Sequence, residues 1–152
     1  MDNLKFEIKI PSDSDGFILL QCPICLEYFK LTSKDIESDD NIGICCPFCG
    51  KSSENYLTKD VLDLGMTMAK NITMQEIHKE LQKIERKTKN NFLQFKAGKK
   101  PKNDYEKKLE SKIDELIIDK VKCCNKNLKI NILTKMCGYY CPFCGVIVDG
   151  TE

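Results

Sequence analysis

The chain lacks tryptophan, has a single histidine, and is only 8% aromatic. One histidine, His78, is too few for a hydrolase built on a histidine-bound metal. A glycine-rich phosphate loop and a nucleophile–base set are missing too, so no enzymatic activity is expected. No apolar run approaches the length of a membrane span, and no membrane association is expected. Residues Met1 to Ile10 alternate charged and apolar side chains and lack the apolar core of a secretory leader, which points to a cytoplasmic protein. At 152 residues the chain forms one large or two small domains. Neither half has the apolar content for a large core, and small cores need a staple.

Ten cysteines are available for that staple. In a reducing compartment, paired Cys-x-x-Cys units read as metal sites and not as disulfides. The phrase CPFCG occurs twice, at Cys46–Gly50 and at Cys141–Gly145. In each, proline fixes its own φ after the first thiol, and glycine after the second accepts the left-handed geometry of a tight turn. Such a pair is half of a tetrahedral site. CPIC at Cys22–Cys25 supplies the other half of the first site, giving Cys22, Cys25, Cys46 and Cys49. Four thiolates suit Zn²⁺ and leave no open position, so the expected role is structural. The second site is less regular. Its first choice is Cys123, Cys124, Cys141 and Cys144, although adjacent residues of a strand point to opposite faces. The turn formers Asn125, Lys126 and Asn127 would allow both to ligate. Cys137, replacing either adjacent cysteine, is the alternative. Cys45 is expected to be a buried or spare thiol.

Cys22–Cys25 with Cys46–Gly50, and the second CPFCG, resemble the zinc-ribbon or rubredoxin-like knuckle superfamily, in two copies. The resemblance covers about the first third and the last quarter of the chain. It implies a fold and two structural Zn²⁺ ions, and little about function, because such ribbons serve many roles. CPFC also looks superficially like an oxidoreductase dithiol. That chemistry needs one motif opening a helix in an α/β fold, and no βαβ pattern surrounds these motifs.

The expected architecture is a small, metal-stabilised α+β chain: two zinc-ribbon β domains joined by a long amphipathic helix and a basic linker. Strands are expected at Phe6–Ile10, Phe17–Leu20, Tyr28–Leu31, Ile42–Cys45, Glu115–Lys122, Leu128–Leu133 and Val146–Val148, with polar loops at Pro11–Gly16 and Asp35–Asn41. The expected segments are a ribbon over 1–57, a helical segment over 58–97, a charged linker over 98–114 with a short helix in Tyr105–Asp114, and a ribbon over 115–152. The helix is capped by Thr58, and its apolar stripe runs through Leu62, Met66, Ala69, Ile77, Leu81 and Ile84 to Phe95. His78 is read as facing solvent.

The net charge of +1 conceals an uneven distribution. Residues Met1–Gly65 carry twelve acids and six bases, and Lys79–Lys108 carry eleven bases and four acids. Two functions compete. The first is a non-enzymatic adaptor that contacts a protein partner or self-associates, because a helix longer than one small core can bury invites a partner. The second is nucleic-acid binding through the basic stretch from Lys83 to Lys102. Thiol redox or metal handling ranks third.

Overall fold

The computed structural model describes residues 5–39 and 43–150. It is a small α+β protein in which a long helix lies, in chain order, between two β-rich regions that each carry a cysteine cluster. The chain divides into two compact units. One takes the residues up to Lys9 together with Asp60–Lys108, and the other takes Ile10–Lys59 together with the residues from Leu109 onward.

The second unit contains both cysteine-rich regions. Strands β1 (Phe17–Gln21), β2 (Tyr28–Thr32), β3 (Ile117–Val121) and β4 (Lys126–Ile130) form one antiparallel sheet in the order β1-β2-β4-β3. The regions expected as separate ribbons over 1–57 and 115–152 are therefore joined, through pairing of β2 with β4 at Lys30 and Lys129. Their cores are shared: Phe29, Leu31, Leu128, Ile130 and Val121 are fully buried in one cluster. A second sheet pairs β5 (Tyr139–Tyr140) with β6 (Ile147–Val148).

The two regions are copies of one another. Placing Cys22 on Val121 puts Ile18 on Ile117 and Leu31 on Ile130, and both of those pairs are cross-strand partners in their own hairpins. It puts Phe29 on Leu128, both without exposed surface. It also puts Thr32 on Asn131, the N-caps of α1 (Ser33–Ile36) and α3 (Ile132–Cys137). Each cap side chain accepts the N–H three residues on, of Asp35 and Thr134 respectively. Lys30 falls on Lys129, its own partner across the β2–β4 pair, so a pseudo-two-fold axis passes between them. The CPFCG loops obey the same symmetry. Cys45 N–H donates to the Pro142 carbonyl at 2.8 Å, and Tyr140 N–H donates to the Pro47 carbonyl at 2.9 Å. The first copy has the longer connection between its cap and its CPFCG.

The other unit is built on α2 (Lys59–Thr88). The helix ends at Thr88 and does not continue to Phe95. The Lys89-Asn90-Asn91 run that follows favours a turn, because asparagine side chains compete for backbone groups. The chain then folds back along the helix. Ala97 N–H donates to the Glu85 carboxylate, Gln75 donates to the Pro101 carbonyl, and Asn71 exchanges two bonds with the Asp104 backbone. Residues 98–108, expected as part of a free linker, thus belong to this unit as a strap, and Tyr105–Asp114 forms no helix. The strap lies along a polar face of α2. Asn71 and His78 are among its buried residues, and His78, expected in solvent, sits 3.1 Å from the Gln82 amide. The apolar stripe is largely on the exposed side: Leu62, Met66, Ile77 and Ile84 are all exposed.

Residues 5–10 form no strand; instead the Ile8 side chain packs where a Cβ on Gly65 would stand, at 3.2 Å. Of the strand expected over 42–45, Ile42 lies outside the described residues, and Cys45 forms a single bridge with Ser52.

Candidate metal centres

Two groups of four thiols could each hold a metal ion: Cys22, Cys25, Cys46 and Cys49, and Cys123, Cys124, Cys141 and Cys144. Within each group every sulfur lies within 4.8 Å of the others.

Three of the four turns that bring these thiols together share one backbone design. The first cysteine accepts, through its carbonyl, the N–H four residues on, and donates its own N–H to the carbonyl five residues on. The pairs are Leu26 and Glu27 for Cys22, Gly50 and Lys51 for Cys46, and Gly145 and Val146 for Cys141. The residue after the second cysteine is left-handed in all three: Leu26 at φ 65, Gly50 at φ 70 and Gly145 at φ 75. This geometry aims amides at sulfur. Ile24 N–H reaches the Cys22 sulfur and Phe48 N–H reaches the Cys46 sulfur, each at 3.4 Å. Burial pushes the Cys22 thiol up, yet the Cys25 and Ile24 amides outweigh it and bring it down to about 7. Burial dominates at Cys46 and Cys141 and raises both.

The fourth turn is a variant. β3 and β4 are joined by Lys122–Asn125, with Val121 paired to Lys126 and Asn125 left-handed at φ 53. Asparagine tolerates that region, as glycine does. Asn125 therefore stands where Leu26, Gly50 and Gly145 stand, Cys124 where Cys25 stands, and Val121 where Cys22 stands. Like Cys22, Cys46 and Cys141, Val121 has no exposed surface. The missing first thiol is supplied from two residues further on by Cys123, which is exposed. The adjacency of Cys123 and Cys124 is accommodated because both sit in the hairpin turn, not in a strand. Cys137, at the exposed end of α3, is not in the cluster. Cys45 is not a member either; its sulfur packs at Gly145, at the place that the Tyr140 ring takes against Gly50 in the other copy.

The clusters differ in exposure. Cys22 and Cys46 are buried and Cys25 and Cys49 half-buried, whereas in the second cluster only Cys141 is buried and both Cys123 and Cys144 are exposed.

A charged centre unforeseen from the sequence lies on the pseudo-two-fold axis. Lys30 and Lys129 are both buried, and both donate to Oδ2 of Asp13, at 3.2 and 2.7 Å. Oδ1 of Asp13 accepts the N–H groups of Asp15 and Phe17. Burial alone would raise the Asp13 carboxyl, but the bonds from Lys129, Phe17 and Lys30 hold it well below the usual carboxylate range. Reading Pro11–Gly16 as a turn gave no sign of this, since Lys30 and Lys129 are far from it in sequence.

The basic residues from Lys83 to Lys102 are exposed, and Lys83 pairs with Glu80 on the same helix. Among the described residues, no helix is long and apolar enough to cross a membrane. In comparisons with known proteins, the chain matches no family model, no curated protein and no solved structure.

Proposed function

We propose that each cluster holds a structural Zn²⁺ ion and that the duplicated unit, a pair of fused zinc ribbons, serves as an adaptor that binds a protein partner. Four ligands at 2.3 Å around a tetrahedral ion stand about 3.8 Å apart. The sulfur separations fit this: 3.8 and 3.5 Å in the first cluster, and 3.8 and 3.5 Å in the second. With every position taken by thiolate, no site remains for water or substrate, which favours a structural ion. Zinc then stabilises a core that is small for its sheet, and folding and metal binding are linked.

One observation carries the partner reading. The copies agree in their cores and differ on the surface of the short helix after β2 or β4. In α1 and the residue after it, the outer positions are Ser33, Lys34 and Glu37. Their counterparts in α3 are Ile132, Leu133 and Met136, which are 58%, 68% and 59% exposed. The polar set in the sister copy means that the fold does not need apolar residues there, and an exposed apolar cluster is the composition of a contact surface.

The sister copy also supplies the test. The variant I132S/L133K/M136E should keep two zinc ions and the wild-type circular dichroism spectrum, yet lose the partner that the wild type retains from its native host after nuclease treatment. A partner that stays bound to the variant, or one released by nuclease, overturns the adaptor reading. In the latter case Lys99, Lys100 and Lys102, each changed to Gln, become the residues to examine, by the loss of binding at low salt.

A further inference from the structure

We propose that the second cluster, and not the first, is a metal-exchange site, at which a small thiol enters by replacing Cys123. The inference rests on the zinc reading above and goes beyond it, since a purely structural pair of sites would differ little in exchange.

Three turns hold their first thiol at a fully buried position, beneath the backbone bonds that close the turn. The second cluster has one such anchor, Cys141; the other anchor position is Val121, which has no ligand atom. Its substitute, Cys123, projects from the middle of the hairpin loop and is exposed. It lies 3.5 Å from the sulfur of Cys144, which is exposed as well. One edge of the sulfur tetrahedron therefore faces solvent, and no edge of the first cluster joins two exposed cysteines. Among the described residues, the backbone bonds to sulfur that orient ligands in the first cluster, from Ile24 and Phe48, have no counterpart at Cys123. Ligands with weaker outer support hold metal less well.

The exchange needs no oxidant. The sulfur of the entering thiol takes the coordination position, the bond to Cys123 breaks, and the proton of the entering thiol ends on the freed Cys123 sulfur. A second entry displaces Cys144 in the same way, leaving Cys124 and Cys141 as the last protein ligands.

The test uses the zinc-loaded full chain, with metal content measured first; fewer than two ions at that stage refutes the zinc reading and not the asymmetry. Dithiothreitol is then added with a chromophoric zinc indicator. One equivalent should leave faster than the other, by on the order of tenfold or more. The variant V121C/C123S, which restores the common turn, should slow the fast phase toward the slow one. In a parallel sample without dithiothreitol, limited alkylation with N-ethylmaleimide and peptide mass spectrometry should label Cys123 and Cys144 before Cys22 and Cys46. Release of both ions at one rate, or labelling of Cys22 as early as Cys123, overturns the proposal. If the double variant does not fold, the order of alkylation in the unaltered protein decides.

Discussion

Leu26 is the one L-residue with a Cβ-branched-free but bulky side chain held at a position where two sister turns use glycine. Its left-handed conformation is imposed by the turn that aims amides at Cys22 and Cys25, so the strain is local and is offset by the cluster. Replacing it by glycine relieves about 1–2 kcal/mol of left-handed strain and adds about 0.5–1 kcal/mol of unfolded-chain entropy. Leu26→Gly should therefore raise the stability of the metal-loaded protein by about 0.5–1 kcal/mol, and the side chain, being exposed, takes no core contact with it. Denaturant unfolding at fixed zinc checks the sign. A loss of stability would mean that Leu26 contributes packing that its exposure does not reveal.

At the scale of elements, β1 and β2 were legible because alternation and the Cys-x-x-Cys spacing bracket them: β1 runs into Cys22, and β2 follows Cys25. Alternation alone misled at Phe6–Ile10, which forms no strand, and at Leu128–Leu133, where the strand stops at Ile130 because Asn131 caps α3. The fourth turn was harder to read, since its anchor is a valine and its extra thiol makes an adjacent pair. The duplication was hidden for a related reason. Equivalent buried positions carry Phe29 against Leu128 and Leu31 against Ile130, which conserve apolar character and not identity. One signal was available, the equal spacing from Cys22 to the cap Thr32 and from Val121 to the cap Asn131. The stripe on α2 misled because periodicity shows which residues share a face and not which face is covered. In this unit the covered face is polar, held by Asn71, Gln75 and Glu85 through bonds to the strap. Asn71→Ala removes two part-buried bonds to the backbone of the exposed Asp104, at a net cost of about 0.5–1.5 kcal/mol per bond. We expect hydrogen exchange at the Asp104 amide to rise sharply in that variant, with zinc content unchanged. Unaltered protection there would show that the remaining strap contacts suffice.

At the scale of the whole molecule, Asp13 ties the copies together. Like charges placed directly across a strand pair destabilise it, and Lys30 and Lys129 are such a pair. Removing the carboxylate takes from the buried Lys30 ammonium its carboxylate partner and leaves Lys129 with Asp15; breaking one buried pair in this way typically costs about 3–5 kcal/mol. Asp13→Asn should lower the stability of the zinc-loaded protein by that amount. The pH dependence has a definite sign. The folded carboxyl titrates below its unfolded value of about 3.9, so its contribution is present above that value and fades as pH falls toward the folded one. The gap between wild type and variant should stay level from about pH 8 to about pH 5, a range in which Asp13 remains ionised. Denaturant curves across that range measure it, and a gap that narrows within it would show that Asp13 is not held as an anion.

The position of Asp13 has a consequence for how such a unit can be assembled. Two identical chains meeting about this axis would each bring an Asp13, and two carboxylates cannot occupy one point on a two-fold axis. Here the position equivalent to Asp13 in the second copy is Lys112, so the Asp13 carboxylate can bridge both lysines, and Asp15 adds a second carboxylate at Lys129. That arrangement is open to a fused, unequal pair and closed to a homodimer. Covalent linkage thus does more than set the copies at high local concentration: it lets one half give up a residue that the other supplies for both.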